Sequence, residues 1–322
     1  MNIIKQSDII SAKHKQPISG VILVMGYEKK MTKGNPPKPT IDGTLCSGVQ
    51  VALRVWTGDD GTVEKMSGAN YSGKVCHIVG EVSIWQGAKS IVVTGIEAVE
   101  GFEPSQFLAS KYNIDAYAEA FKKLMANVLS EKGYSLLTKI LFSNEAIWSK
   151  FKTEFCASKH HDNCKGGLLA HSYRNVYILQ FLMGLYPSIF DYKVGEKTDR
   201  TDIQYIGTGL HDIGKIHEMN TGVYQPIACV THRQIGCEML YPYKAEIVSL
   251  YGEKLYYDLI SIILQHHHIY GDPARTVPAY VAHLTDMIDT QFISLGEKMK
   301  EEVTEGVSGD RVFLNKDTVL TI

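Results

Sequence analysis

No apolar run in the 322 residues is long enough to cross a bilayer, and the opening Met-Asn-Ile-Ile-Lys-Gln-Ser-Asp lacks the apolar core of a signal peptide. Neither a membrane span nor an export signal is expected. Cysteine is sparse: Cys46, Cys76, Cys156, Cys164, Cys229 and Cys237 are scattered, with no Cys-x-x-Cys pair. That argues against a disulfide framework and for reduced thiols in a cytoplasm. His160-His161 near Cys164 imitates a zinc cluster but has no second Cys-His group to complete it. An excess of one charge is also missing. With 33 Lys and Arg against 35 Asp and Glu the formal net charge is -2, so any contact with a polyanion must come from a local patch. Internal repeats and low-complexity tracts are absent, and the length suffices for two domains.

What is present divides by texture. Residues 15 to about 100 read as β. Val21-Ile-Leu-Val-Met25 is a short apolar strand, and Lys29 to Gly43 is a Lys-, Gly- and Pro-rich stretch expected to be a loop. Val49, Val51, Leu53 and Val55 alternate with Gln50, Ala52, Arg54 and Trp56, the period of a half-buried strand. Lys74–Trp85 and Ser90–Val99 form a further strand pair across the turn Gln86-Gly87-Ala88-Lys89. Four or five short strands within a hundred residues suggest a small closed barrel, most economically an OB-fold. Such barrels commonly bind single strands by stacking bases on aromatics and tracking phosphates with cations. Arg54, Trp56, Lys29, Lys30, Lys33 and Lys38 are the candidates for that contact, the bland reading being that Trp56 packs and the lysines only solubilise a loop. Trp85, beside a turn, is expected to pack.

From about Ile114 the apolar spacing becomes three and four, the helical period. Segments at Ala116–Leu129 and Leu136–Phe142, with a junction at Gly133-Tyr134, lead into helical patterns around His171–Leu185, Asp202–His217, Thr231–Tyr241, Leu255–Gln265 and Ala279–Gln291. The second domain is therefore expected to be all α. After Lys300 a charged stretch ends in Arg311-Val-Phe-Leu and Thr318-Val-Leu-Thr-Ile, read as a tail.

The helical half carries the chemistry. A lone His211-Asp212 pair is weak, but His171, His232, His266-His267 and Asp286 lie on successive helical segments or helix ends. An all-helical domain can aim such residues into one core site. His171, His211, Asp212 and Asp286 would hold one divalent ion. His232, His266 and His267 would hold a second, with Asp212 as the bridge. Two such ions are the usual device for hydrolysing a phosphodiester. Lys215, one helical turn after His211, can reach the same pocket and hold a phosphate oxygen. Taken singly, His171 could be a hydrogen-bonded helix residue and His232 a helix-cap neighbour. His217 is read as a surface residue and His268 as a loop residue. His283 is expected to brace a ligand rather than be one. Asp289, a turn after Asp286, could support it or exchange roles with it.

The order His171, His211-Asp212, Asp286 resembles the HD-domain metal phosphohydrolases, and the added His232 and His266-His267 match their two-metal branch. Gly166-Gly-Leu-Leu-Ala-His171, Leu210-His-Asp-Ile-Gly-Lys215, Ile263-Leu-Gln-His-His267, Gly271-Asp-Pro273 and His283-Leu-Thr-Asp-Met-Ile-Asp289 resemble the YhaM family, bacterial 3'-5' exoribonucleases with an OB-fold and an HD domain. The resemblance covers most of the chain. It implies an enzyme using divalent metal, manganese first with iron, cobalt, magnesium or zinc as alternatives. Such an enzyme trims RNA, and often single-stranded DNA, from the 3' end to mononucleotides. The chain departs from the family pattern at His160-His161, which is offset by about one position, and at the Lys29–Gly43 stretch, which looks like an insertion. The His268–Pro278 stretch lacks the Glu and Gly-Tyr-Pro of cyclic dinucleotide hydrolases. The resulting expectation is a multidomain protein. Residues 1–105 form an OB-fold nucleic-acid-binding domain, residues 106–300 an HD phosphohydrolase domain, and residues 301–322 a tail. Its partners are single-stranded RNA or DNA, with a homo-oligomer open and no membrane. One alternative is a phosphodiesterase of small or cyclic nucleotides that uses the barrel for assembly. The other is a nucleic-acid adaptor with a degenerate HD domain, against which the intact ligand set and Lys215 argue.

Overall fold

The fold is that of a computed structural model, which describes every residue except 49, 57–60, 86–87, 158–161, 190–192, 194, 306–310, 314–318 and 322. His160-His161, Val49 and the centre of the expected Gln86-Gly87 turn lie outside the described residues. The chain divides into two units, Met1–Ser110 and Lys111–Ile322.

In the first unit a short helix α1 (Gln6–Ser11) precedes β1 (Pro17–Met31), β2 (Pro39–Cys46) and β3 (Gln50–Val55). Helix α2 (Thr62–Gly68) then leads to β4 (Val75–Trp85) and β5 (Ala88–Ala98). The strands close a barrel in the order β1-β2-β3-β5-β4, antiparallel except for the parallel β3–β5 pair. Alternation drives closure: Val51, Leu53 and Val55 are buried on one face of β3 and meet Ile22, Val24, Ile41, Leu45, Ile78 and Ile91 inside. This is the expected OB-fold.

The Lys29–Gly43 stretch is not a single loop. β1 runs through Met31 and β2 starts at Pro39, with Lys29 opposite Ile41 and Met31 opposite Pro39. Only residues 32–38 connect them. Pro36 and Pro37 fall in that connection and Pro39 takes the first strand position, where a missing N–H is tolerated. Lys29 and Lys30 ride the β1 side of this hairpin with exposed side chains, opposite the buried Ile41 and Thr40 of β2. Trp85 is 77% exposed, not packed, because it ends β4.

The second unit is helical: α3 (Ile114–Val128), α4 (Glu131–Leu137) running on into a π-turn to Phe142, α5 (Glu145–Thr153), α6 (Gly167–Leu185), α7 (Asp199–Leu210) and α8 (Lys215–Glu218). α9 (His232–Leu240), α10 (Lys244–Tyr251), α11 (Glu253–Gln265) and α12 (Val277–Glu305) follow. Minor two-stranded pairs join Met219–Asn220 to Val223–Tyr224 and Arg311–Phe313 to Val319–Thr321. The first helix junction falls at Leu129-Ser130, not at Gly133-Tyr134. Ser130 caps α4 by accepting the Gly133 N–H, and Gly133 sits inside the helix because a Cβ there would lie 2.6 Å from the Asp202 carboxylate. α7 is buried along nearly all its length and packs beside α6, which is buried mainly in its first half and exposes Tyr177, Phe181 and Leu185; α3, α11 and α12 pack around the two. None of the described helices is long and apolar enough to cross a membrane.

Candidate metal centre

His171 comes from α6 and is fully buried. His211 caps the C-terminus of α7, and the chain then leaves regular helix: Ile213 N–H donates to the Leu210 carbonyl and Lys215 N–H to that of Asp212, each a tight turn. Neighbours on a straight helix diverge by about 100°. The turn instead aims His211 and Asp212 at one spot, with His211 Nε2 3.4 Å from Asp212 Oδ2. Gly214 allows the next approach. A Cβ there would lie 1.9 Å from the His232 carbonyl oxygen, so only glycine lets the start of α9 dock against the turn. His266 and His267 follow the end of α11, and Asp286 lies in α12.

The side chains form two groups around Asp212. Its Oδ2 lies 3.7 Å from His171 Nε2, and His171 Nε2 is 3.2 Å from both His211 Nε2 and Asp286 Oδ1. Its Oδ1 lies 3.3 Å from His232 Nε2 and 3.5 Å from His266 Nε2. One ligand atom from each of Asp212, His232, His266 and His267 falls within a 4.8 Å cluster, and so does one from each of His171, His211 and Asp286.

The far nitrogen of four rings is already committed. His171 Nδ1 donates to Asp289 at 2.7 Å, His211 Nδ1 to the Thr208 carbonyl at 2.7 Å, His232 Nδ1 to Glu218 at 2.9 Å and His266 Nδ1 to the Ile263 carbonyl at 2.9 Å. These bonds fix the tautomer and turn each Nε2 inward. Asp289 therefore stands behind His171, held by Arg174 Nε at 2.5 Å, while Asp286 faces the centre. His283 donates to the His266 carbonyl at 2.8 Å and braces that ligand. His268 Nδ1 accepts from Ala274 N–H, and His217 is exposed.

Charge follows from this packing. Burial pushes the His266 imidazole down to about 4, and burial together with neighbouring His266 takes His267 to about 3. Both are neutral near pH 7, the form that ligates. Burial opposes ionisation of Asp212, but Lys215 and His211 outweigh it and hold the carboxyl well below its usual range. Burial would also depress His171, yet Cys156, Asp286 and Asp289 keep it well above an ordinary imidazole. Three buried atoms, Asp212 Oδ1, His232 Nε2 and His266 Nε2, have no hydrogen-bond partner. With the Nδ1 protons placed as above, all three are acceptors aimed at one another. A buried acceptor without a donor costs about 1–3 kcal/mol. A cation between them removes that cost, so the donor set fits a divalent metal.

Lys215 faces the same pocket, its Nζ 2.5 Å from Asp212 Oδ2. The barrel candidates are less unified. Arg54 and Lys30 both pair with Asp42, at 2.5 and 3.4 Å, and Lys30 also with Glu28. Lys29 lies on the other face of β1, beside Tyr27 and Ile41. Lys33 and Lys38 are exposed in the connection, and Trp56 follows β3 with 56% of its surface exposed. Sequence reasoning missed Glu218, Arg174 and Cys156. Glu218 could have been suspected as an acid seven residues after His211; the others carry no signal short of structure.

No family model and no solved structure matches the chain. Among curated proteins it is similar to the 3'-5' exoribonuclease YhaM of Listeria monocytogenes serotype 4b (strain CLIP80459), 23% identical over 301 residues, covering 86% of this chain and 90% of the relative. The YhaM of Oceanobacillus iheyensis is 23% identical over 316 residues, covering 92% and 91%. That of Bacillus pumilus is 28% identical over 181 residues, about half of each chain. Along most of its length, then, a chain with a barrel followed by a helical unit is similar to curated proteins named 3'-5' exoribonuclease YhaM.

Proposed function

We propose that the chain is a metal-dependent 3'-5' exonuclease that hydrolyses the phosphodiester bonds of single-stranded RNA, with single-stranded DNA as a second substrate. Residues 1–105 serve in this proposal as the nucleic-acid-binding domain, 106–300 as the HD phosphohydrolase domain and 301–322 as a tail. The names of the relatives support the polarity and the polymer. The observation that carries the chemistry is the Asp212 carboxylate, whose two oxygens face two separate histidine groups, with buried acceptors left over.

His171, His211, Asp212 and Asp286 would hold one divalent ion, and Asp212, His232, His266 and His267 the other, manganese being first in line. When bound, the pair supplies an acidified water and positive charge for the phosphoryl oxygens. Asp212 sets the spacing between the two groups. The Asp289, Thr208, Glu218 and Ile263 contacts keep the rings from turning away. Lys215, its side chain 13% exposed, offers an ammonium at the rim that can take a phosphate oxygen as charge builds. On the barrel, Trp56 offers a stacking face and Lys33 and Lys38 offer cations. The site belongs to a cytoplasmic enzyme in this reading.

The test is a 5'-labelled single strand incubated with purified protein and manganese. A ladder of shortened products with mononucleotide release is expected. Chelation and Asp212→Ala should both abolish it, with elemental analysis showing lost metal in the variant. Asp212→Ala working at near the wild-type rate with metal retained rules out the two-ion centre. Turnover of a nitrophenyl phosphodiester without any shortening of strands transfers the assignment to small nucleotides.

A further inference from the structure

Cys156 stands outside the ligand set above, yet its thiol faces the same oxygen. Sγ is 3.8 Å from Asp212 Oδ2 and 3.6 Å from Lys215 Nζ. Ligand atoms of Cys156, His171 and Asp212 fall within 4.8 Å of one another. Oδ2 is the Asp212 oxygen that faces His171 and His211, so the sulfur lies on their side of the carboxylate and not on that of His232 and His266. A cysteine buried only for packing behaves as a small hydrophobe among apolar neighbours. Here a fully buried sulfur meets a carboxylate, an ammonium and an imidazole.

The sulfur is also held in place. The Cys156 N–H donates to the Asp162 carbonyl at 3.2 Å, and the Asp162 carboxylate takes Arg174 Nη2 at 2.5 Å and the Tyr112 hydroxyl. The same Arg174 grips Asp289 behind His171. One frame therefore positions both the imidazole and the thiol. Oxygen and sulfur ligands at about 2.1 and 2.3 Å from a single ion stand roughly 3–4.4 Å apart across all ordinary angles. The observed 3.8 Å lies in that range. The acceptors Asp212 Oδ1, His232 Nε2 and His266 Nε2, buried and without a hydrogen-bond partner, lie across the same carboxylate and mark the centre it belongs to, though not the sulfur's own side, as one that takes cations.

We infer that Cys156 is a sulfur ligand of the ion held by His171, His211, Asp212 and Asp286, and that it turns that position toward zinc, iron or cobalt and away from magnesium. This rests on the metal centre of the proposed function. Sulfur is a soft donor, and adding it to imidazole and carboxylate favours the later divalent ions. On ligation the thiol gives its proton to solvent and the sulfur–metal bond forms. The Lys215 ammonium beside both Sγ and Oδ2 offsets the added negative charge.

The test is metal-free full-length protein reconstituted with cobalt(II), read by elemental analysis and absorption. Two cobalt ions per chain and a near-ultraviolet sulfur-to-cobalt charge-transfer band are expected. Cys156→Ser and Cys156→Ala should keep a native circular dichroism spectrum and lose the band. In Cys156→Ser, retention of zinc against a chelator should fall about tenfold or more, the scale of disturbed metal surroundings, with manganese retention little changed. Two bound cobalt ions without the band, or a band that survives in Cys156→Ala, overturns this inference and leaves the two-ion centre standing. Failure to bind cobalt at all overturns both.

Discussion

Asp212 presents one oxygen to His171 and His211 and the other to His232 and His266, with the Lys215 ammonium against the first. Lys215 is thus a counter-charge as well as a rim cation. Lys215→Ala should retain both ions, because no histidine depends on it, yet turn over roughly 10²-fold more slowly, as when one transition-state charge contact is lost. Metal loss measured in that variant would reassign Lys215 to supporting Asp212. The buried imidazoles give the apoprotein a pH signature. In the unfolded chain His266 takes its proton near pH 6.5, but in the fold only near about 4. Between those values the unfolded state binds more protons, so this contribution is fully present above about pH 6.5 and is lost as pH falls toward 4, on the order of 3 kcal/mol. His171 works in the opposite sense. Raised in the fold, its contribution is full below about pH 6.5 and fades as pH rises through its folded value. Urea unfolding under chelation should therefore be most resistant near pH 6.5, and His266→Asn should flatten the acid side. An acid limb unchanged in that variant would show that the slope comes from elsewhere. The ligands were legible in the sequence because histidine is scarce, twelve in the chain, and most of it lies on or beside the successive helical segments of the second half. Their supports were not, since the Thr208 and Ile263 carbonyls that fix two rings belong to the backbone and leave no trace in residue identity.

The joint between α8 and α9 shows what elements contribute that residues alone do not. Glu218, at the end of α8, accepts both the backbone N–H and Nδ1 of His232, so one carboxylate caps α9 and orients its first side chain. The α7–α8 turn must pass against that cap, and Gly214 is the contact point. Gly214→Ala would place a methyl 1.9 Å from the His232 carbonyl and 2.8 Å from the Gly236 nitrogen, both backbone atoms that cannot swing aside. The variant should lose about 1–3 kcal/mol or more by overpacking. It should also bind one ion where wild type binds two, because α9 must retreat and take His232 with it. Thermal melting and elemental analysis check the two halves, and a variant with unchanged melting and two ions removes Gly214 from this role. Most element types could be read from periodicity, yet their ends could not. Gly133 looks like a helix break but is an internal contact with Asp202, and the true break, Ser130, is an ordinary N-cap whose serine the apolar pattern passes over. The lysine-rich arm of β1 was unreadable for the converse reason: it carries no apolar face, being paired strand that extends into water.

Over the whole chain, the change of apolar period from two to about three and a half separates a barrel from a helical unit, and the contacts divide at Ser110 and Lys111. That much of the architecture needs only side-chain patterning. How cations and aromatics are used on the barrel does not follow from pattern, because ion pairing is decided by register. Register places Asp42 opposite Arg54, and Asp42 binds both Arg54 and Lys30. Those two cations are largely neutralised by the barrel itself, which leaves Trp56 as the stronger candidate for holding a strand. An exposed indole stacks on any base and contributes about 1–3 kcal/mol per base. In the proposed function that energy is available to long strands and not to a substrate confined to the metal pocket. Trp56→Ala should accordingly weaken action on long single strands by about tenfold or more, while a nitrophenyl phosphodiester, which fills only the metal pocket, is hydrolysed at the wild-type rate. Raising salt should weaken long-strand binding in both proteins through counterion release at Lys33 and Lys38. With 56% of its surface exposed, Trp56 can be removed without opening the barrel core, so the melting temperature should hold. Equal losses on long and short substrates in a folded variant would end the case for the barrel as a strand guide and leave it an assembly module beside a small-molecule phosphodiesterase.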